Sequence, residues 1–164
     1  VLNAAAVGGI RPREWDPDLL DHAASFGDGS TMDASAFLFL HEYHLDRGEI
    51  AEAREWIDRA LDLWSEVPSL MHPSLAATAA YFEARHGDLA SARDWCEKMR
   101  GPLVEEWQSL LAEAAVAEAE GRLETARERA RAGLETQPRA RFRTSVAARE
   151  RLLELVGDGP EASS

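Results

Sequence analysis

The residues most able to do chemistry stand together at His41-Glu42-Tyr43-His44. Zinc hydrolases use the pattern H-E-x-x-H, because histidines four apart share one helix face and the Glu between them serves as base. Here the histidines are three apart. They still share a face, so two imidazoles can reach one ion, but no third ligand recurs at a matching spacing. The pattern therefore predicts packing residues and no metal site. Cys96 is the only cysteine. It has no evident triad partners, and its expected role is that of a small buried hydrophobe. Carboxylates are spread over the whole chain and mark no pair. The sequence thus points to no catalytic residue, no metal and no cofactor; a hydrolase whose site leaves no sequence signal is the least supported reading.

Those residues need elements to position them, and composition says which. The chain has 164 residues, 45% hydrophobic and 29% charged, a globular balance with enough length for one domain with a core. Ala, Leu, Glu and Arg dominate, and they lose little side-chain freedom in a helix. The net charge of −12 argues against nucleic acid as ligand, since like charges repel. Its distribution is uneven: residues 1–120 carry 9 basic and 23 acidic side chains, whereas residues 121–151 carry nine Arg and four Glu. The basic stretch either pairs with the acidic faces or meets an acidic partner or an anionic membrane surface.

A repeat organises the chain. Gly48-Glu-Ile-Ala-Glu-Ala-Arg54 recurs as Gly87-Asp-Leu-Ala-Ser-Ala-Arg93 and as Gly121-Arg-Leu-Glu-Thr-Ala-Arg127. The shared pattern is G-x-[I/L]-x-x-A-R, with glycines 39 and then 34 residues apart. Each Gly is expected to end a helix in a left-handed cap, which costs it no steric strain. Glu49 and Asp88 are expected in the first turn of the next helix, where a carboxylate meets the positive dipole end. The Ala lets two helices approach closely. Before the glycines lie helices over Ala36–Arg47, Ser74–His86 (opened by Pro73) and Pro102–Glu120; Phe37, Leu40, His41 and His44 share one face of the first. After Gly48, the residues Ile50, Ala53, Trp56, Ile57, Ala60, Leu61 and Trp64 recur at steps of three and four, marking an amphipathic helix. No such hairpin buries its apolar face alone, and stacking of neighbours solves that.

This pattern resembles the tetratricopeptide (TPR) repeat, whose period is about 34 residues. Three units are read at about 34–67, 73–101 and 102–138. Phe37-x-x-Leu40-His41-x-x-His44 stands in the family's W-x2-L-G-x2-Y window, Ala53, Ala92 and Ala126 fill its small packing slot, and Pro138 falls at its terminal Pro. Ala76 and Leu110 replace the aromatic, Glu83 and Ala117 the Tyr, and Glu113 the Leu, so the units are degenerate. The resemblance implies an all-α solenoid of helix hairpins that binds a protein or peptide in a concave groove lined by the first helix of each unit. In this chain the groove residues would be Leu38, Phe39, Glu42, Leu45 and Asp46, then Thr78, Tyr81 and Arg85, then Gln108, Leu111 and Glu118. The lining is apolar with acidic edges and Arg85 as its lone cation; the basic carboxylate clamp of chaperone-binding TPR domains is missing. The implied ligand is an apolar or basic segment, which includes a stretch of the parent protein itself, and Tyr81 is the expected anchor. The opposing expectation is a groove filled by terminal helices.

The flanks complete a single domain over 15–156. A helix is expected from Asp16-Pro17 to about Phe26, then a loop over Gly27-Asp-Gly-Ser-Thr31. A capping helix follows over 139–156, with Val146, Leu152 and Leu155 inward, and residues 157–164 form a disordered tail. Residues 1–14 are apolar before Arg11-Pro-Arg13. They read either as the end of a membrane helix cut short upstream of Val1 or as a flexible leader. The runs Gly9 to Leu20, Tyr43-His-Leu-Asp-Arg-Gly48 and Tyr81-Phe-Glu-Ala-Arg-His86 also resemble the C-terminal region of bacterial membrane-embedded zinc metalloproteases of the site-2 type. That resemblance implies a regulatory or accessory domain in the cytoplasm, tethered to the inner face of the membrane.

Overall fold

The computed structural model describes residues 21, 25, 31–66, 73–99, 106–136 and 143–157. Among them stand seven helices and no strand: α1 (Thr31–Asp46), α2 (Ile50–Glu66), α3 (Pro73–His86), α4 (Leu89–Lys98), α5 (Glu106–Ala119), α6 (Leu123–Thr136) and α7 (Arg143–Val156). The chain divides into two compact units, with the division after Leu75 inside α3 and α7 grouped with the second. None of the described helices is long and apolar enough to cross a membrane. The expected leader (1–14), the helix from Asp16 to Phe26 apart from one Ser25 to Asp21 backbone bond, and the tail beyond Gly157 lie outside the described residues.

The helices fall into two kinds, and burial shows why. In α1, α3 and α5 the apolar residues run nearly all the way round. Ala36, Phe37, Phe39, Leu40 and His41 are buried in α1; Trp107, Leu110, Leu111, Ala112 and the run Ala114 to Ala117 are buried in α5. A helix that is apolar on every side belongs inside a core. By contrast α2 and α6 each bury one stripe: Ala53, Ile57 and Ala60 in α2, and Ala126, Ala130 and Gly133 in α6. Steps of three and four residues put each stripe on one side of its helix and leave the charged residues in water. The stripes serve the partners next in sequence, since α2 packs along α1 and α6 packs along α5.

Helix boundaries depart from expectation in detail. α1 begins at Thr31, so Thr31 belongs to the helix and not to the preceding loop. α7 is described from Arg143, and the expected start of the capping helix at 139 lies outside the described residues. Glu49 and Asp88 precede their helices instead of occupying the first turn. Gly87 ends α3 as expected but is not left-handed, whereas Gly48 and Gly121 are, with φ of 72° and 75°.

Candidate functional site

The repeated motif has a common structural outcome. Its Ala accepts no side-chain penalty at a close helix crossing, and all three copies are buried: Ala53 and Ala92 are 0% exposed and Ala126 is 2% exposed. Each of these alanines donates its N–H to the carbonyl of the residue just before its helix: Ala53 to Glu49 at 2.9 Å, Ala92 to Asp88 at 3.0 Å and Ala126 to Arg122 at 3.0 Å. The three copies therefore enter their second helices in one register.

The turns that deliver that register are of two types. At Gly48 the N–H donates to the Leu45 carbonyl at 3.1 Å, and the next N–H, of Glu49, reaches back to His44 at 3.0 Å. At Gly121 the same pair of bonds joins Gly121 to Glu118 and Arg122 to Ala117, both at 2.8 Å. This is the Schellman arrangement, which satisfies the orphan carbonyls of a helix end through a left-handed glycine. At Gly87 the N–H still bonds inside the helix, to Glu83 at 3.0 Å. There side chains do the capping. Asp88 accepts from the Ser91 N–H and hydroxyl, each at 2.8 Å, and the Glu83 carboxylate accepts from the Asp88 N–H at 2.9 Å.

Charged groups brace the turns. Arg47 donates to Glu49 at 2.7 Å and His44 donates through Nδ1 to the same carboxylate at 2.8 Å, and these bonds hold Glu49 below the usual carboxylate range. Glu120 receives Arg122 and Arg93 and is likewise lowered, chiefly by Arg122. Bonding from Ser91 lowers Asp88. The histidines of the zinc-like pattern serve the seam between α1 and α2: His41 is 0% exposed and donates through Nδ1 to the Ala53 carbonyl at 2.8 Å. No group of three His, Cys, Asp or Glu that would hold a metal lies among the described residues. Cys96 is only partly buried and packs with Trp95 against Ala76, Ala77, Ala80, Met99 and Ala112.

The predicted groove residues separate into covered and open ones. In the first unit Leu38, Glu42 and Leu45 are half-buried, Asp46 is exposed and Phe39 is 8% exposed. In the second unit Thr78, Gln108 and Glu118 are half-buried and Arg85 is exposed. Arg85 and Glu118 are bonded to each other, so the lone cation of the lining is neutralised. Tyr81 and Leu111 are 8% and 6% exposed and share one core cluster with Trp107, Ala130, Leu152 and Leu155. The cover is α7. Arg151 stands over the Tyr81 ring with its guanidinium 5.1 Å from the centroid. Leu152 is fully buried against α6: a Cβ on Gly133 would meet its Cδ atoms at 2.9 and 3.3 Å. The expected anchor thus lies beneath a helix of its own chain.

Sequence reasoning missed Gly133, Trp107 and Arg151 as parts of this face. Gly133 carried a signal, because an isolated glycine inside a helical pattern marks a close approach. Arg151 carried none, since an arginine beside two leucines on a terminal helix reads as solvated surface. No family model, curated protein or solved structure matches the chain.

Proposed function

We propose that this chain is a TPR-like scaffold of helix hairpins that holds a protein or peptide segment and does no chemistry of its own. The observation that carries the reading is the common register of the three G-x-[I/L]-x-x-A-R copies, each with its alanine buried. Support also comes from the alternation of helices that are mostly apolar with helices buried on one stripe. A stacked repeat produces that alternation, because its inner helices touch neighbours on both sides. The groove residues of the first unit left open, Leu38 and Leu45 with acidic Glu42 and Asp46, favour an apolar segment with basic flanks.

A peptide array of leucine- and arginine-containing segments against the whole chain tests this. The wild type should bind a subset, with affinity falling as salt rises. Leu38→Asp, or Glu42→Lys with Asp46→Lys, should lose about tenfold or more, since truncating an interface anchor commonly costs above 1 kcal/mol. Binding that all these variants retain in full would overturn the assignment of the face.

A further inference from the structure

α7 covers two of the residues read as groove lining, Tyr81 and Leu111, and its cation and leucines match the apolar or basic segment expected there. Leu155 stands four residues after Arg151 and three after Leu152, so the three fall within one stripe of the helix. Arg149, Glu150 and Glu154 are exposed. The inward residues meet three features of α3, α5 and α6. The Tyr81 ring faces the Arg151 guanidinium at 5.1 Å, a cation over an aromatic face. Gly133 leaves a notch that the Leu152 methyl groups fill, at 2.9 and 3.3 Å from the position of a missing Cβ. Trp107 and Leu111 form the apolar bed beside Leu152 and Leu155 in the same cluster.

We propose that this face of α3, α5 and α6 is a docking surface for an amphipathic helix carrying Arg-Leu-x-x-Leu, and that α7 is its resident occupant, which a partner helix of that chemistry displaces. The proposal rests on the reading of the chain as an interaction module and names the ligand class of its inner face. The face selects by shape and charge together. The notch admits a leucine and excludes a bulkier aromatic, and the Tyr81 ring selects a cation over a carboxylate one residue before it. In the closed form the anchor is hidden, so a partner's apparent affinity is reduced by the fraction of chains in which α7 is docked.

The test is hydrogen exchange by mass spectrometry on the whole chain, with and without a peptide spanning residues 143–157. The peptide carries heavy isotopes so that its fragments separate from those of the chain. The chain's own α7 amides should exchange well before those of α5. A saturating excess of peptide should speed α7 exchange on the order of tenfold and leave α5 unchanged, because a competitor shifts the docked and free forms by mass action. The Leu152→Asp peptide should have no effect, and the Arg151→Ala peptide should act only at higher concentration. Exchange of α7 as slow as that of α5, no acceleration by the peptide, or equal action of the Leu152→Asp peptide each overturns the proposal. A foreign partner that binds while α7 stays protected keeps the interaction-module reading and removes this one. Displacement by the peptide in a chain that binds no foreign segment does the reverse.

Discussion

At Gly48 and Gly121 the chain leaves one helix through a left-handed glycine, and backbone bonds close the turn; at Gly87 it leaves through ordinary backbone, and the side chains of Glu83 and Asp88 close it. The sequence pattern is the same at all three. The difference lies in the residue after the glycine and the one four before it. Asp88 is a short carboxylate that reaches the Ser91 N–H of its own helix, so α4 has a side-chain cap. Arg122 has no acceptor to offer, and the Glu49 carboxylate is taken by Arg47 and His44. The Schellman bonds at Gly48 and Gly121 satisfy carbonyls of the helix that ends, whereas the Asp88 cap satisfies an N–H of the helix that begins. At Gly87 the N–H of the next residue goes to the Glu83 carboxylate instead of a backbone carbonyl. The lesson is that turn chemistry is exchangeable so long as the buried alanine five residues after the glycine arrives in register.

The largest effect should come from breaking what the turns share. Ala53→Leu, Ala92→Leu and Ala126→Leu should each cost about 1–3 kcal/mol by overpacking a helix crossing, whichever turn precedes them. Thermal melts read this as roughly 2–4 °C per kcal/mol for a chain of this size. A penalty at only one of the three would show that the register is not common to them.

A smaller effect should separate the two kinds of turn. Gly48→Ala and Gly121→Ala force a side chain into the left-handed region and should cost about 1–2 kcal/mol. Nothing stands within 4 Å of a Cβ at either site, so the cost is one of backbone strain and not of crowding. Gly87→Ala, at a residue without positive φ, should be neutral or stabilise by up to about 1 kcal/mol by narrowing the unfolded ensemble. Equal losses at all three glycines would erase the distinction between the two kinds of turn.

The smallest effect is in pH. Glu49, Asp88 and Glu120 are all lowered in the folded state, Glu49 by Arg47 and then His44, Asp88 by Ser91, and Glu120 by Arg122 and then Arg93. A lowered carboxylate contributes stability above its unfolded pKa, near about 4, and loses it as pH falls through the folded value. Denaturation midpoints should therefore hold steady above about pH 5 and fall below about pH 4. Asp88→Ala should lower stability at neutral pH and flatten the acid-side slope, while Glu49→Gln should flatten it without uncapping α4. An unchanged slope in both variants would mean that these bonds do not persist in solution.

Much of the fold was legible because it is local. The breaks at Gly48, Gly87 and Gly121, the stripe Ala53, Ile57 and Ala60 of α2, and the burial of the three motif alanines follow from propensity, turn chemistry and a period of 3.6, all of which act within a few residues. The difference at Gly87 was also written there, in Glu83 and Asp88, though the glycine overshadowed it. Tertiary structure alone decided which neighbour covers the inner faces. α1, α3 and α5 are apolar on nearly every side, and a helix without a polar face has no periodicity to say which side meets which partner. Tyr81 and Leu111 accordingly read as groove residues in one dimension. In three dimensions they lie under Arg151, Leu152 and Leu155, because those side chains on α7, together with the notch at Gly133, supply burial that no local rule could assign.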